Sequence, residues 1–186
     1  MLMTMYAYVI TAVFFLIYLV IYSRFAFQLV RAPFVNQVAQ WVYRSTNPVV
    51  QPLERVIPRW RHVSIASLVL LLVAAMLKVS LLMGATAFSA LGVRWALSDA
   101  LSFALRYWIW AIVIYIVLGW LFTVVERRRD NDLVDIVFLL ARPLCALPRR
   151  FFRTHIGVFD FAPMIVLFAL AMLDIAQRQL LLGTLN

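Results

Sequence analysis

Four long stretches of this sequence carry almost no charge, and they limit the fold more than any other feature. They cover residues 1–23, 63–93, 107–125 and 161–182, in which the only charged residues are Lys78, Asp174 and Arg178. A helix needs about 20 apolar residues to cross the hydrocarbon layer of a bilayer. The sequence therefore predicts four transmembrane helices, at about residues 3–24, 63–84, 104–125 and 161–182.

The composition agrees with a membrane protein and excludes other classes. Hydrophobic residues make up 66% of the 186 residues and charged residues 13%, against about 45–50% and about 25% in soluble domains. A soluble domain of this length could not bury so much apolar surface. The single cysteine, Cys145, allows no internal disulfide.

The arginines predict the orientation of the helices. Residues 24–62 contain six arginines and residues 126–160 contain seven, whereas the segment between the second and third helices contains only Arg94 and Arg106. Because short cytoplasmic loops are enriched in Lys and Arg, we expect both long loops in the cytoplasm and both termini in the periplasm of a bacterial inner membrane. The first span has no Lys or Arg before it, so we expect a permanent helix rather than a cleaved signal.

The two halves of the chain resemble each other. Residues 64–77 align without gaps on residues 160–173, and a proline precedes an arginine by seven positions in each upstream loop, at Pro48 and Arg55 and at Pro143 and Arg150. Each loop begins with apolar residues at helical spacing, and the prolines predict that these amphipathic helices stop there. We predict an all-α integral membrane protein of two parallel repeats, residues 1–95 and 96–186, each with a short cytoplasmic amphipathic helix and a Pro/Arg segment.

These segments also carry a family resemblance. The motif residues are Asn47, Pro48, Pro52-Leu53-Glu54-Arg55 and Pro58 in the first half, and Arg142-Pro143, Arg149-Arg150 and Asp160-Phe161-Ala162-Pro163 in the second. In this the chain resembles the YggT family, called YlmG in some bacteria and plastids, although Glu54 stands where the family motif has an arginine. The resemblance implies an inner-membrane protein linked to osmotic-stress tolerance, to cell division, or to cofactor assembly.

Lys78 and Asp174 are the first candidate site. They occupy the same position of the two repeats in the gapless alignment. Charges inside a span are costly and usually find each other or water, so we predict an intramembrane polar pair between them. Two alternatives remain open, in which Lys78 extends towards the membrane surface and Asp174 pairs with Arg178 one turn later. The same residues raise the alternative of a small ion channel or transporter.

The Pro/Arg segments are the second candidate site. We expect Arg55, Arg149 and Arg150 at the cytoplasmic headgroup level, in segments that Pro48 and Pro143 stiffen. Such arginines bind anionic membrane lipids or dock a protein partner, which includes a second copy of the chain. Asp160 begins the last helix beside these arginines, and we expect it to pair with Arg149, Arg150 or Arg55.

The remaining polar residues offer weaker candidates. His62 and His155 precede the second and fourth spans and could bind haem or a metal between the repeats, but no cysteine or carboxylate cluster supports such a site. No phosphate loop, H-E-x-x-H or G-x-S-x-G motif occurs. We therefore predict no cofactor, no metal, no nucleic-acid partner and no enzymatic activity, and expect a membrane scaffold or accessory protein.

Overall fold

The structure is a computed structural model that describes residues 2–33, 35–57, 64–124, 131–151, 154–156 and 159–183. These residues form the helices α1 (Leu2–Leu29), α2 (Gln37–Val56), α3 (Ile65–Met83), α4 (Ala90–Val124), α5 (Asp132–Phe151) and α6 (Ala162–Leu182). A 3₁₀ helix at Gly84–Phe88 follows α3, and two short antiparallel strands, β1 (His155–Ile156) and β2 (Phe159–Asp160), precede α6.

Four of these helices are long and apolar enough to cross a membrane. The candidate spans are Met3–Leu29, Ile65–Phe88, Ala90–Phe122 and Ala162–Leu182, which confirms the predicted all-α fold class with four membrane-length helices. Large apolar side chains such as Tyr8, Trp110 and Phe168 lie exposed on the outside of the helices. This arrangement suits a protein whose surrounding solvent is lipid.

Small side chains let the spanning helices pack closely. The helix α1 packs on α3, α4 packs on α6, and α3 and α4 join the two pairs. Alanines of these interfaces, Ala26, Ala75 and Ala96 among them, are fully buried. Small residues at helix contacts allow the backbones to approach, and the resulting van der Waals packing favours helix association in lipid.

The third span begins earlier than the sequence predicts, at Ala90 rather than near residue 104. Arg94, Asp99 and Arg106 interrupt the apolar run, but they are compatible with a helix that is 35 residues long and extends beyond the hydrocarbon layer. The side chain of Ser89 caps the helix by accepting a hydrogen bond from the amide of Gly92. A Cβ on Gly92 would lie 2.2 Å from the Ala87 carbonyl oxygen, so only glycine allows this close approach.

The helices α2 and α5 do not stop at their first prolines, contrary to the prediction from sequence. The helix α2 continues through Pro48 and Pro52, and α5 continues through Pro143 and Pro148. A proline inside a helix removes one hydrogen bond and costs about 3 kcal/mol. Burial of an apolar face offsets this cost, because Val50 in α2 and Cys145 in α5 lie beyond the first proline and are almost completely buried.

The first turns of α2 and α5 are hydrogen-bonded to each other. Asn36 caps α2 by accepting from the amides of Val38 and Ala39, and its side-chain nitrogen donates to the Asp132 carbonyl oxygen at 2.7 Å. The amide of Gln37 donates to a carboxylate oxygen of Asp132 at 2.8 Å. The carboxylate of Asp132 is thus placed at the positive end of the α2 dipole, and it joins the two halves of the chain.

Candidate functional site

Arg55, Arg149 and Arg150 lie in the last turns of α2 and α5, on the side of the bundle from which α3 and α6 start. We call these three residues the arginine face. All three are exposed, as are Pro48 and Pro143 one to two turns earlier. Positive charge in the last turn of a helix interacts favourably with the helix dipole. The face is therefore built on helices whose opposite sides are buried, and its binding of lipid or protein stays a prediction.

Arg149 is the arginine that contacts Asp160. Its Nη2 donates to Oδ2 of Asp160, while the other carboxylate oxygen accepts from the amide of Ala162 in the first turn of α6, at 3.0 Å. The short hairpin of β1 and β2 brings Asp160 back towards α5. The carboxylate thus connects the last turn of α5 to the start of α6. Of the three arginines of the face, Arg149 is the one that binds Asp160, and Arg55 and Arg150 are the other two.

The surroundings of Asp160 shift the pKa of two groups. Burial alone would raise the pKa of Asp160, but the hydrogen bonds from Ala162 and Arg149 lower it below its ordinary value. Burial raises the pKa of the Cys145 thiol, which the nearby Arg149 only partly opposes. Cys145 is therefore a neutral thiol at neutral pH, in agreement with its packing among apolar residues.

A buried arginine in α1, Arg24, is a structural residue that the sequence reasoning missed. Its side chain is 4% exposed and forms an ion pair with Glu54 of α2 at 3.3 Å. One terminal nitrogen also donates to Thr46 at 2.9 Å and to Asn47 at 2.7 Å. Arg24 therefore holds α2 against α1. The signal was Glu54, the one carboxylate in a segment with six arginines.

Lys78 pairs with Asp99 of α4, so the prediction of a Lys78–Asp174 pair is wrong. The Lys78 ammonium lies 2.8 Å and 2.9 Å from the two carboxylate oxygens of Asp99. The hydroxyl of Tyr18 in α1 donates to the same carboxylate at 2.9 Å. Because the sequence predicts a third span that begins near residue 104, it places Asp99 in the connection before that span and not opposite Lys78.

Asp174 belongs to a second polar cluster, between α4 and α6. It forms ion pairs with Arg178 at 3.2 Å, one turn later on α6, and with Arg106 of α4 at 3.5 Å. The Gln177 amide nitrogen donates to Asp174 and also to Ser102 of α4, at 2.6 Å. Of the two alternatives left open by the sequence, the pair of Asp174 with Arg178 is the one found.

The two histidines were the residues considered for a haem or metal site. His62 lies outside the described residues, and the backbone of His155 forms part of β1, in register with Asp160. Within the described ranges, no three side chains of His, Cys, Asp or Glu come close enough to hold a metal ion.

Comparisons with known proteins identify similar sequences. The sequence model of the CCB3/YggT family matches residues 3–85 and 94–181. The chain is 30% identical over 161 residues to an uncharacterised protein of Pseudomonas aeruginosa, covering 84% of this chain and 79% of the relative. It is 26% identical over 170 residues to the uncharacterised protein YggT of Escherichia coli K12, covering 90% and 86%. No solved structure matches the chain.

Proposed function

The chain belongs to the CCB3/YggT family, and from that membership and the arginine face we propose a non-enzymatic scaffold or accessory protein of the bacterial inner membrane. The observation that carries the proposal is the exposure of Arg55 and Arg150 at the ends of two helices whose other faces are buried. Because both arginines stand on ordered helices, a partner that binds them need not order the backbone.

The arginine face points to the cytoplasm in this proposal. The support is the excess of arginines in the two long loops over the segment between the second and third spans. Each arginine near an anionic leaflet contributes on the order of 1 kcal/mol of attraction. Lipid binding would hold α2 and α5 at the headgroup level and leave part of the face available to a protein partner or a second copy of the chain.

The test removes charge from the face without touching the buried contacts. The variant carries Arg55→Ala and Arg150→Ala, and the matched control carries Arg44→Ala and Arg142→Ala, which are exposed positions of the same two helices. We expect the first variant to lose a protein that co-purifies with the wild type in mild detergent, and the control to retain it. Equal recovery from both, with both folded, would remove the scaffold proposal.

The family resemblance extends the proposal to cell physiology. We expect a strain lacking this protein to grow poorly under osmotic stress, and the wild-type gene to restore growth. The Arg55→Ala, Arg150→Ala variant should fail to restore growth when it is present in the membrane at normal amount. Full restoration by that variant would separate the arginine face from any role in envelope homeostasis.

Ion transport is the second candidate function. The observation that favours it is that Lys78, Ser98, Asp99 and Ser102 line a cavity next to the spanning helices. Transport predicts ion flux into vesicles that contain the purified protein, changed by Asp174→Asn, which alters the neighbouring cluster. Flux equal to that of empty vesicles at every tested pH would remove this candidate.

A further inference from the structure

A long groove runs beside the contact between α1 and α4. The two helices touch through aromatic side chains such as Tyr22, whose ring lies 5.0 Å from that of Tyr107. The groove next to these contacts has a volume of about 1010 Å³. We call it the lateral groove. Its lining residues Leu16, Trp110 and Ile114 are exposed on the outside of the bundle. The groove therefore opens sideways, to the lipid that surrounds the spans.

The groove is apolar where α2 and α5 close it and carries charged residues further along, where α3, α4 and α6 line it. The apolar residues that close it are Val38, Trp41, Val42, Leu133, Ile136, Val137 and Leu140. Further along the groove, the lining cations are Lys78, Arg106 and Arg178, and the lining carboxylate is Asp99. Since Lys78 is neutralised by Asp99 and both arginines share Asp174, this charged part of the groove retains one excess positive charge.

The two arginines are accessible from the groove. The side chain of Arg106 is 55% exposed and that of Arg178 is 40% exposed. Within the described residues, the ion pair of Arg106 is made by its Nε atom alone. A guanidinium has five N–H donors in a planar fork, which suits the oxygens of a phosphate. Arg106 therefore keeps both terminal nitrogens for a further anion.

The dimensions of the groove match a membrane lipid. Its lining on α1 runs from Thr11 to Phe27, a separation of 16 residues or about 24 Å along the helix. Arg178 lies 16 residues after the start of α6 at Ala162, which is about 24 Å along the helix. The hydrocarbon layer of a bilayer is roughly 30 Å thick, so Arg178 has crossed most of it. Arg178 thus lies near the membrane surface opposite the arginine face, and Arg106, which lies deeper, is joined to it through the carboxylate of Asp174.

We propose that the lateral groove binds one anionic phospholipid of that leaflet, with its phosphate at Arg106 and Arg178 and an acyl chain between α1 and α4. Lipid tails are as apolar as the groove, so the headgroup supplies the selectivity. The transmembrane helix of a partner protein would instead cover these arginines with apolar side chains, at a large desolvation cost. This site is independent of the arginine face and of the scaffold function.

The test places a light-activated group in the acyl chain of the lipid. Full-length protein is reconstituted with a trace of phosphatidylglycerol or phosphatidylcholine that carries the same diazirine-labelled chain, and the cross-linked peptides are identified by mass spectrometry. We expect phosphatidylglycerol to label the groove-lining segments 106–114 and 133–140 roughly tenfold more than phosphatidylcholine. Equal labelling by the two lipids, or labelling confined to other segments, would overturn the proposal.

Two pairs of variants localise the effect. Arg106→Gln with Arg178→Gln should reduce phosphatidylglycerol labelling to the phosphatidylcholine level, whereas the charge-matched control, Arg94→Gln with Arg142→Gln at exposed sites outside the groove, should not. If the first variant does not fold, lipid binding in the groove is tested instead with Leu19→Trp, for which Ile17→Trp is the control. Leu19 lines the groove and is 36% exposed, and Ile17, at 38%, does not line it.

We expect Leu19→Trp to fill the groove and abolish most labelling of segments 106–114 and 133–140, and Ile17→Trp to leave it unchanged. An equal effect of the two tryptophans would overturn the proposal. Absence of labelling of residues 106–114 by either lipid in the wild-type protein would also overturn it.

Discussion

The Lys78 ammonium lies 2.8 Å from the carboxylate of Asp99, so an ion pair joins α3 to α4. The Lys78 side chain is 12% exposed and the Asp99 side chain 33%, and the hydroxyl of Tyr18 donates to the same carboxylate. Three helices are thus held together by one partly buried polar cluster. An ion pair in an apolar environment costs desolvation energy. Removing one partner destabilises the protein more than removing both, because it leaves a charge without a partner.

The first prediction concerns this pair. Lys78→Met and Asp99→Asn should each lower the free energy of unfolding by about 2–4 kcal/mol, because each leaves a charge without its partner in an apolar region. The double variant should be more stable than either single variant, since both charges are then absent. Thermal unfolding in mild detergent measures this, and a double variant less stable than both single variants would contradict it.

The second prediction concerns Arg24 and Glu54. Both side chains are less than 10% exposed, so Glu54→Ala should leave the Arg24 charge buried and destabilise the protein by about 3–5 kcal/mol. Arg55→Ala, at the neighbouring exposed position, is the control and should change stability by less than about 0.5 kcal/mol. Limited proteolysis of α2 measures the difference, and similar cleavage of both variants would show that the ion pair does not hold α2 in place.

The third prediction concerns pH. The pKa of Asp160 is lower in the folded protein than its ordinary value, so its stabilising effect is complete above an ordinary pKa of about 3.9 and is lost as the pH falls through the folded value. At pH 7, Asp160→Asn should cost about 1 kcal/mol, since Arg149 is partly exposed. The cost should shrink below about pH 4. Melting curves from pH 7 to pH 3 test this, and a cost that stays constant would contradict it.

The fourth prediction concerns the prolines. Because α2 is already helical on both sides of Pro48, Pro48→Ala should add one hydrogen bond, to the carbonyl oxygen of Arg44, without lengthening the helix. Circular dichroism should show unchanged helix content, and hydrogen exchange should show protection of the new amide at position 48. A clear gain in helix content would mean that the helix ends at Pro48 in the wild type.

The spans could be predicted because they depend on neighbours along the chain. Length and apolar content alone decide which segments can cross a bilayer, and four such helices are found. Of the apolar residues at helical spacing in α2 and α5, Val42, Ile136 and Leu140 are buried, whereas Trp41 and Leu133 are exposed. The sequence also predicts a pair of Asp160 with Arg149, Arg150 or Arg55, and the pair with Arg149 is the one found.

The ion pairs within the bundle could not be predicted in the same way. Asp99 binds Lys78 across 21 residues, and Glu54 binds Arg24 across 30, so their contacts depend on how the helices pack. The alignment of the repeats suggested Asp174 for Lys78, but equivalent positions need not touch. The prediction that the helices end at the first prolines was wrong for a related reason. Burial of side chains beyond Pro48 and Pro143 outweighs the local tendency of proline to end a helix.

Cysteine accessibility tests most directly the claim that the arginine face lies in the cytoplasm. In a Cys145→Ser background, single cysteines replace Ser45 of α2 and Ala85 of the turn between α3 and α4, both of which are exposed. A membrane-impermeant maleimide should label position 85 in intact spheroplasts and position 45 only after the membrane is opened. Labelling of position 45, but not of position 85, in intact spheroplasts would contradict the account.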